Sequence, residues 1–293
     1  MTLARISFFL CMATALSCGD HPAPAPATAP VQAPALIGYY AGNGEDIERW
    51  PIEKLTHLIW CFAHLEGDSL RLFPSTEEFP KAREKTISTM VDFKQRNPQL
   101  KILISFGGWG GCATCSEVFS REEGRRAFAI SALRILERTH TDGIDLDWEY
   151  PAAPGPPGHA WSPDDREHFT LLIQELRTVL GARYGISFAA GAPDECLIDG
   201  YEWEKVLPLV DRVHVMSYDL VHGYSTATGH HTSLYPTAQQ ALSADHAVHL
   251  LDSLGVPRSK VVIGSAFYAR IWKDVSPVNN GLHQAGVFEH TIP

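Results

Sequence analysis

A chain of 293 residues with 45% hydrophobic residues is long enough for one large globular domain, and a net charge of −10 excludes an electrostatic surface for nucleic acid. Six cysteines are few for this length, and two of them, Cys11 and Cys18, fall in the first 18 residues.

Those first residues read as a targeting segment. Arg5 precedes the apolar run from Ile6 to Leu16, and Ser17-Cys18-Gly19-Asp20 follows. A basic start, a short apolar core and small residues at the end make a secretory signal over 1–18, too short to be a permanent membrane span. The Ala-Leu-Ser-Cys ending resembles a bacterial lipoprotein signal, which makes Cys18 the expected lipidation position; a plain signal-peptidase site is the alternative. Residues 19–35 are dominated by Pro and Ala, cannot build a core, and are expected to form an extended linker. The domain is expected over 36–293, exported and either extracellular or lipid-anchored at a bacterial envelope, with membrane contact only through that anchor, and monomeric.

Seven strand-like runs follow: Leu36–Ala41, His57–Ala63, Lys101–Gly107, Gly143–Glu149, Gly185–Ala190, Arg212–Tyr218 and Lys260–Phe267. Helix starts are marked between several of them. Ser120-Arg-Glu-Glu123 reads as a capping box, Ser162-Pro-Asp-Asp165 as a cap with acidic residues in the first turn, and Thr237-Ala-Gln-Gln240 as a third start, whose helix stops at Gly255 and Pro257. Repeated βα units imply parallel strands, and their spacing favours a (β/α)8 barrel. No Gly-x-Gly-x-x-Gly follows the first strand, which argues against a dinucleotide fold. Only about 25 residues follow the seventh run, without a convincing eighth strand and helix, so the barrel is expected to be incomplete, truncated before strand eight.

The fourth run carries the strongest chemical signal. With strand alternation, Ile144, Leu146, Trp148 and Tyr150 point one way and Asp145, Asp147 and Glu149 the other. Three carboxylates on one face, roughly 6–7 Å apart, repel wherever water is excluded. Such a set shares a proton, and part of it acquires a raised pKa suited to general-acid work. A divalent-cation site is the rival reading of the same carboxylates.

In a barrel the chemistry sits at the C-terminal ends of the strands. That places Tyr39, Ser105, Gly107, Gly108, Trp109, Met216, Tyr218, Asp219, Tyr268 and Arg270 around the carboxylates. Such a mouth suits a sugar, with aromatic faces for the ring and carboxylates for its hydroxyls, and fits phosphate poorly. Trp60 and Trp203 are expected to pack in the core. The His230-His231 pair reads as a solvated loop, since adjacent histidines diverge and no partner spacing supports a metal site. Cys112-x-x-Cys115 permits a disulfide in an exported chain, whereas Cys61 and Cys196 are too scattered to complete a zinc site.

The run Asp142-Gly-Ile-Asp145-Leu-Asp147-Trp-Glu149, together with Ser105-Phe-Gly-Gly108 and Met216-Ser-Tyr-Asp219, resembles the signature of chitinases of glycoside hydrolase family 18. The similarity runs from about Ile37 to the end of the chain. The resemblance implies Glu149 as proton donor and Asp147 as the group that orients the substrate's N-acetyl. It implies Asp145 as the deeper charge partner, bonded by Tyr39 and Ser105, and Tyr218 and Asp219 as ligands of the acetamido group and the sugar. Met216 would line the floor, and Trp109, Tyr268 and Arg270 would contact flanking sugars. The implied reaction is substrate-assisted, retaining hydrolysis of chitin or of N-acetylglucosamine oligosaccharides, with no metal and no cofactor. Ser276-Pro-Val-Asn-Asn-Gly281 looks like the opening of the small α+β insertion that family members carry after strand seven. The alternatives are an endo-β-N-acetylglucosaminidase acting on N-glycans and a non-catalytic carbohydrate-binding barrel.

Overall fold

The computed structural model describes residues 34–74 and 80–293. The expected signal segment, Cys18 and nearly all of the Pro/Ala linker lie outside the described residues. Residues Ala35–Pro293 form one compact unit.

The elements in chain order are β1 (Ile37–Tyr40), β2 (His57–Glu66), β3 (Ser69–Arg71), α1 (Pro80–Asp92), β4 (Lys101–Gly107), α2 (Cys115–Ser120), α3 (Glu122–Thr139), β5 (Gly143–Asp147), α4 (Asp165–Leu180), β6 (Gly185–Gly191), α5 (Asp194–Asp199), α6 (Trp203–Val206), β7 (Arg212–Met216), α7 (Ala244–Ser253), β8 (Val261–Ile263), β9 (Ala269–Lys273) and β10 (Val287–Ile292). Seven strands pair in parallel in the order β1-β2-β4-β5-β6-β7-β8, and β3 turns back on β2 as a short antiparallel flap. This is the curled sheet of a (β/α)8 barrel with seven of its strands. Among the described residues no strand bridges β8 to β1. Instead the chain after β8 forms the antiparallel pair β9–β10, and Ser276–Gly281 lies in the connection between its two strands. The two free edges leave Ile263 and the Tyr39 ring partly exposed.

The elements follow from the residues. β4 and β6 are buried on both faces along nearly their whole length, as central parallel strands must be, and their apolar runs supply that burial. α3 buries Phe128, Ala129, Ala132, Ile135 and Leu136, one face at helical spacing, and ends with His140 in the left-handed region. Between sheet and helices lies an aromatic layer. Trp148 packs against Phe119 at 5.4 Å and Phe169 at 6.3 Å, and Phe169 continues it to Phe188 and Tyr201 at 5.0 Å each. Burying each such ring contributes roughly 2–3 kcal/mol, so the layer is a main anchor of the β5 end. Trp60 and Trp203 are buried here as expected.

Three local readings need correction. Ser120 is the last residue of α2, so its hydroxyl donates back to the Glu117 carbonyl (2.7 Å) instead of capping α3, whose cap position falls on Arg121. The third helix starts at Ala244, not after Thr237. Ser243 caps it by accepting the His246 N–H (3.1 Å), while Thr237 and Gln240 close a separate turn. The fourth parallel strand, β5, stops at Asp147, so alternation does not extend to Tyr150. The second start behaves as a reciprocal cap: Asp165 accepts the Ser162 N–H (2.8 Å) and Ser162 Oγ accepts that of Asp164 (3.2 Å). Cys112 and Cys115 form a disulfide, and Cys61 and Cys196 are free and buried.

One backbone contact fixes how β4 delivers its end to β5. Gly107 has φ +105° and sits so close to β5 that a Cβ would lie 2.3 Å from the Asp147 carbonyl, which also accepts the Gly108 N–H (2.9 Å). Gly107→Ala should therefore destabilise the chain by about 1–3 kcal/mol or more. A denaturant midpoint equal to that of the parent chain would show that the contact is not tight.

Candidate active site

Register sets the centre of the site. Ser105 on β4 and Ser187 on β6 stand directly beside Asp145 on β5, so three polar side chains line up across the inner face of three adjacent strands. Asp145 is fully buried. Its Oδ2 accepts from Tyr39 Oη (2.9 Å) and Ser105 Oγ (2.9 Å), and its Oδ1 accepts from Ser187 Oγ (2.6 Å). His214 on β7 places Nδ1 3.4 Å from Asp145 Oδ1 and against the Tyr39 hydroxyl. Since the phenol has one proton and gives it to Asp145, the imidazole Nδ1–H is the donor to the Tyr39 oxygen. Burial alone would raise the Asp145 carboxyl. The hydrogen bond and charge of His214, with Ser187 and Ser105, outweigh it and hold the group below the usual carboxylate range.

Asp147, at the end of β5, is the opposite case. Burial pushes its carboxyl well up, and the charges of Glu149 and Asp145 push it further. Its Oδ1 is buried without a hydrogen-bond partner. The surroundings of Asp147 therefore favour its protonated form, and the donors around Asp145 favour its ionised one.

Glu149 lies two residues beyond, in the loop that follows β5. Burial raises it to about 7; the Tyr150 hydroxyl works against this and the charge of Asp219 adds to it. Tyr150 thus lies on the carboxylate side, not on the side of Trp148. The end of β6 makes room for it, since a Cβ on Gly191 would meet the Tyr150 ring at 2.9 Å. Burial and the neighbouring charges of Glu149, Cys196 and Asp147 keep Tyr150 a neutral phenol, and Tyr218 is raised by burial together with Asp147, Tyr268, Glu149 and Asp219.

Of the remaining expected residues, Asp219, Tyr268 and Arg270 are brought together, and the charge of Asp219 is felt at Glu149. Met216 ends β7 and is nearly buried, and Trp109 is 54% exposed on the loop after β4. Asp219 forms the outer cluster: Arg270 Nε donates to Oδ1 (2.7 Å) and Tyr268 Oη to Oδ2 (2.8 Å). Arg270 belongs to β9 and Tyr268 to the segment before it, because β8 ends at Ile263, earlier than the strand-like run suggests.

Three participants escape a reading by motif. Ser187 and His214 are in phase with the inner face of their strands, and that alternation is the signal that identifies them. His231, read as solvated loop, is instead held at Asp219: its Nδ1 accepts the Asp219 N–H (3.1 Å) and lies 3.2 Å from Asp219 Oδ1. No spacing rule reaches that contact, since a loop of a dozen residues separates the two. Among the described residues no group of three or more His, Cys, Asp or Glu side chains is disposed to hold a metal ion. The arrangement can deliver one proton from Glu149 at near-neutral pH and can hold a second on Asp147 beside a fixed negative charge.

Comparison with known proteins agrees with this geometry. The model of the glycosyl hydrolases family 18 matches residues 35–292. Chitinase A1 of Niallia circulans is 33% identical over 215 residues, covering 68% of this chain and 30% of its own length. An endochitinase of Manduca sexta is 31% identical over 243 residues, covering 79% and 43%. The chain thus spans less than half the length of these two relatives. Among solved structures, a glycoside hydrolase family 18 N-acetylglucosaminidase of Paenibacillus barengoltzii superposes with TM-score 0.77 at 37% identity, covering 87% of this chain and 76% of the other. A chitinase of Bacillus thuringiensis superposes with TM-score 0.78 at 25% identity, covering 88% and 53%. The carboxylate strand, the seven-stranded curled sheet and a family match over nearly the whole described unit lead to one conclusion: the chain belongs to the glycosyl hydrolases of family 18.

Proposed function

We propose that this site hydrolyses β-1,4-linked N-acetylglucosamine polymers, chitin or its oligomers, with retention and with the substrate's own acetamido group as nucleophile. The observation that carries the reading is the setting of the three carboxylates: Asp145 bonded by Tyr39, Ser105 and Ser187, Asp147 buried with an oxygen that has no partner, and Glu149 two residues beyond, raised to about 7 by burial. Glu149 protonates the glycosidic oxygen as the bond to the anomeric carbon breaks. The acetamido oxygen bonds to that carbon, giving an oxazolinium-like intermediate whose positive charge lies beside Asp147. As that charge grows, the Asp147 proton is drawn toward Asp145 and leaves Asp147 negative. Water then adds to the anomeric carbon as the bond from that carbon to the acetamido oxygen breaks, Glu149 takes the water's proton, the proton drawn toward Asp145 returns to Asp147, and the site is restored. Tyr218, a phenol kept neutral by burial and by the charges of Asp147 and Glu149 among others, is the donor for the acetamido oxygen. Trp109 supplies an exposed face for a neighbouring sugar, and Met216 the apolar floor.

The likeness to the Paenibacillus barengoltzii N-acetylglucosaminidase supports a second reading at the same site, in which single N-acetylglucosamine units are released. Product sizes from a chitin hexamer separate the two: monomer alone from the first turnovers favours the second reading, dimers and trimers the first. Release of the glycan from an N-glycoprotein in preference to either would favour the endo-β-N-acetylglucosaminidase alternative.

Glu149→Gln keeps the shape of the acid and removes its proton, so turnover of a chitin oligomer should fall by about 100-fold or more while binding persists. Retained turnover with intact binding would remove Glu149 as the acid. The pH profile has a defined sign. Glu149 works protonated, so the rate should hold at pH below about 7 and fall about tenfold per unit above it. A profile that rises through pH 7 to 9 would contradict the assignment.

We also propose export through residues 1–18, a linker over 19–35 and lipidation at Cys18. The protein should then fractionate with membranes, and Cys18→Ser should move it to the soluble exported fraction. Equal solubility of both forms would leave a plain secretion signal.

A further inference from the structure

We propose that His231 is a positioning residue: its Nδ1 pins the backbone of Asp219, and through Asp219 it sets the charge that faces Glu149. This rests on the role of Glu149 given above and extends it to a loop residue outside the motifs.

Asp219 adopts φ +55°, a left-handed conformation that non-glycine residues avoid, so something must hold it there. His231 does so twice. Its ring accepts the Asp219 N–H, and its backbone carbonyl accepts the next N–H, that of Leu220 (3.2 Å). The histidine is itself held. Gln240 Oε1 accepts the His230 N–H (2.9 Å), Gln240 Nε2 donates to the His230 carbonyl (2.8 Å), and the His231 ring lies 4.9 Å from that of Tyr268. With Asp219 so fixed, its carboxylate stays between Tyr268 and Arg270 and its charge bears on Glu149.

The imidazole must be neutral to do this, because a proton on Nδ1 would turn an acceptor into a donor and transfer its bond from the Asp219 N–H to Asp219 Oδ1. The groups that face the ring favour the neutral form on balance. Burial lowers its pKa and Arg270 adds to this, while Asp219 and the Tyr268 carbonyl oppose it. Nδ1 is then the lone-pair nitrogen by its acceptance of the Asp219 N–H, which puts the hydrogen on Nε2, a buried atom with no hydrogen-bond partner.

The experiment compares the wild-type chain with His231→Ala and His231→Asn, whose side-chain oxygen can replace Nδ1 as acceptor. Carbon-detected NMR of carboxyl-labelled protein reads the Glu149 titration without any turnover. His231→Ala frees Asp219, so the Glu149 midpoint should fall by about half a unit or more and His231→Asn should restore it. On a chromogenic chitin oligomer, kcat/KM of His231→Ala should drop roughly 10–100-fold, with the alkaline limb moved to lower pH. Nitrogen shifts of the wild-type ring should show Nδ1 unprotonated and accepting at neutral pH. An unchanged Glu149 midpoint in a folded His231→Ala chain overturns the proposal, as does a wild-type ring protonated at Nδ1. If His231→Ala does not fold, His231→Asn and the wild-type ring decide it. A wild-type chain that titrates as expected but hydrolyses no N-acetylglucosaminide would instead overturn the proposed function.

Discussion

The site depends on one buried negative charge. Taking a carboxylate out of water costs several kcal/mol even after relaxation, and Asp145 has no exposed surface at all. Four strands besides its own offset that cost, with Tyr39 from β1, Ser105 from β4, Ser187 from β6 and His214 from β7. These donors arrive only when the strands are in register, so curling the sheet and creating the charge are one event. Burial raises Asp147 first and the charge of Glu149 second, and the charge fixed on Asp145 adds to both.

Packing on the far side of the sheet holds the same strand from behind. Trp148 lies between two carboxylates in sequence but is buried against Phe119 and Phe169 in the helix layer. That anchor, with Gly107 and Gly108 closing on the Asp147 carbonyl, fixes where β5 ends. Ending the strand at Asp147 lets Glu149 leave the regular alternation and lets Tyr150 come round to it. A longer strand would have kept Tyr150 in the helix layer and removed the hydrogen bond that opposes the rise of the Glu149 pKa.

The positions of the seven parallel strands and the face shared by Asp145 and Asp147 are legible from alternation and turn residues, because both are consequences of local period, whereas Glu149 lies beyond the strand end. What local period could not reach was of two kinds. Ser187 and His214 were visible as inward-facing positions, but their partner lies 42 residues away for one and on a non-adjacent strand for the other, so only register reveals the bond. Ser120 and Thr237 carried genuine cap chemistry and still failed. A hydroxyl takes the nearest free carbonyl or N–H, and in both cases another turn offered one first. His231 escaped because its contact is closed by a loop whose path depends on Gln240, a residue with no motif of its own.

Two of the carboxyl groups are raised, and their surroundings differ. Asp147 is raised by burial first, then by the charge of Glu149, and last by the inner charge on Asp145, sealed in the sheet. Glu149 answers to the outer charge on Asp219, which sits at the mouth with Arg270, Tyr268 and His231. The inner charge has no solvent to screen it and is fixed by the fold. The outer one is about a third exposed at the side chain, so its influence is weaker and open to solvent and salt. A substitution in the outer cluster can therefore move the Glu149 carboxyl, and because the Glu149 charge is felt at Asp147 it reaches that group as well. No such handle exists on the inner side, because any change to the donors of Asp145 disturbs the strands that carry both. The architecture thus leaves the pH response of Glu149 open to change through loop residues and seals the charge on Asp145 within the sheet.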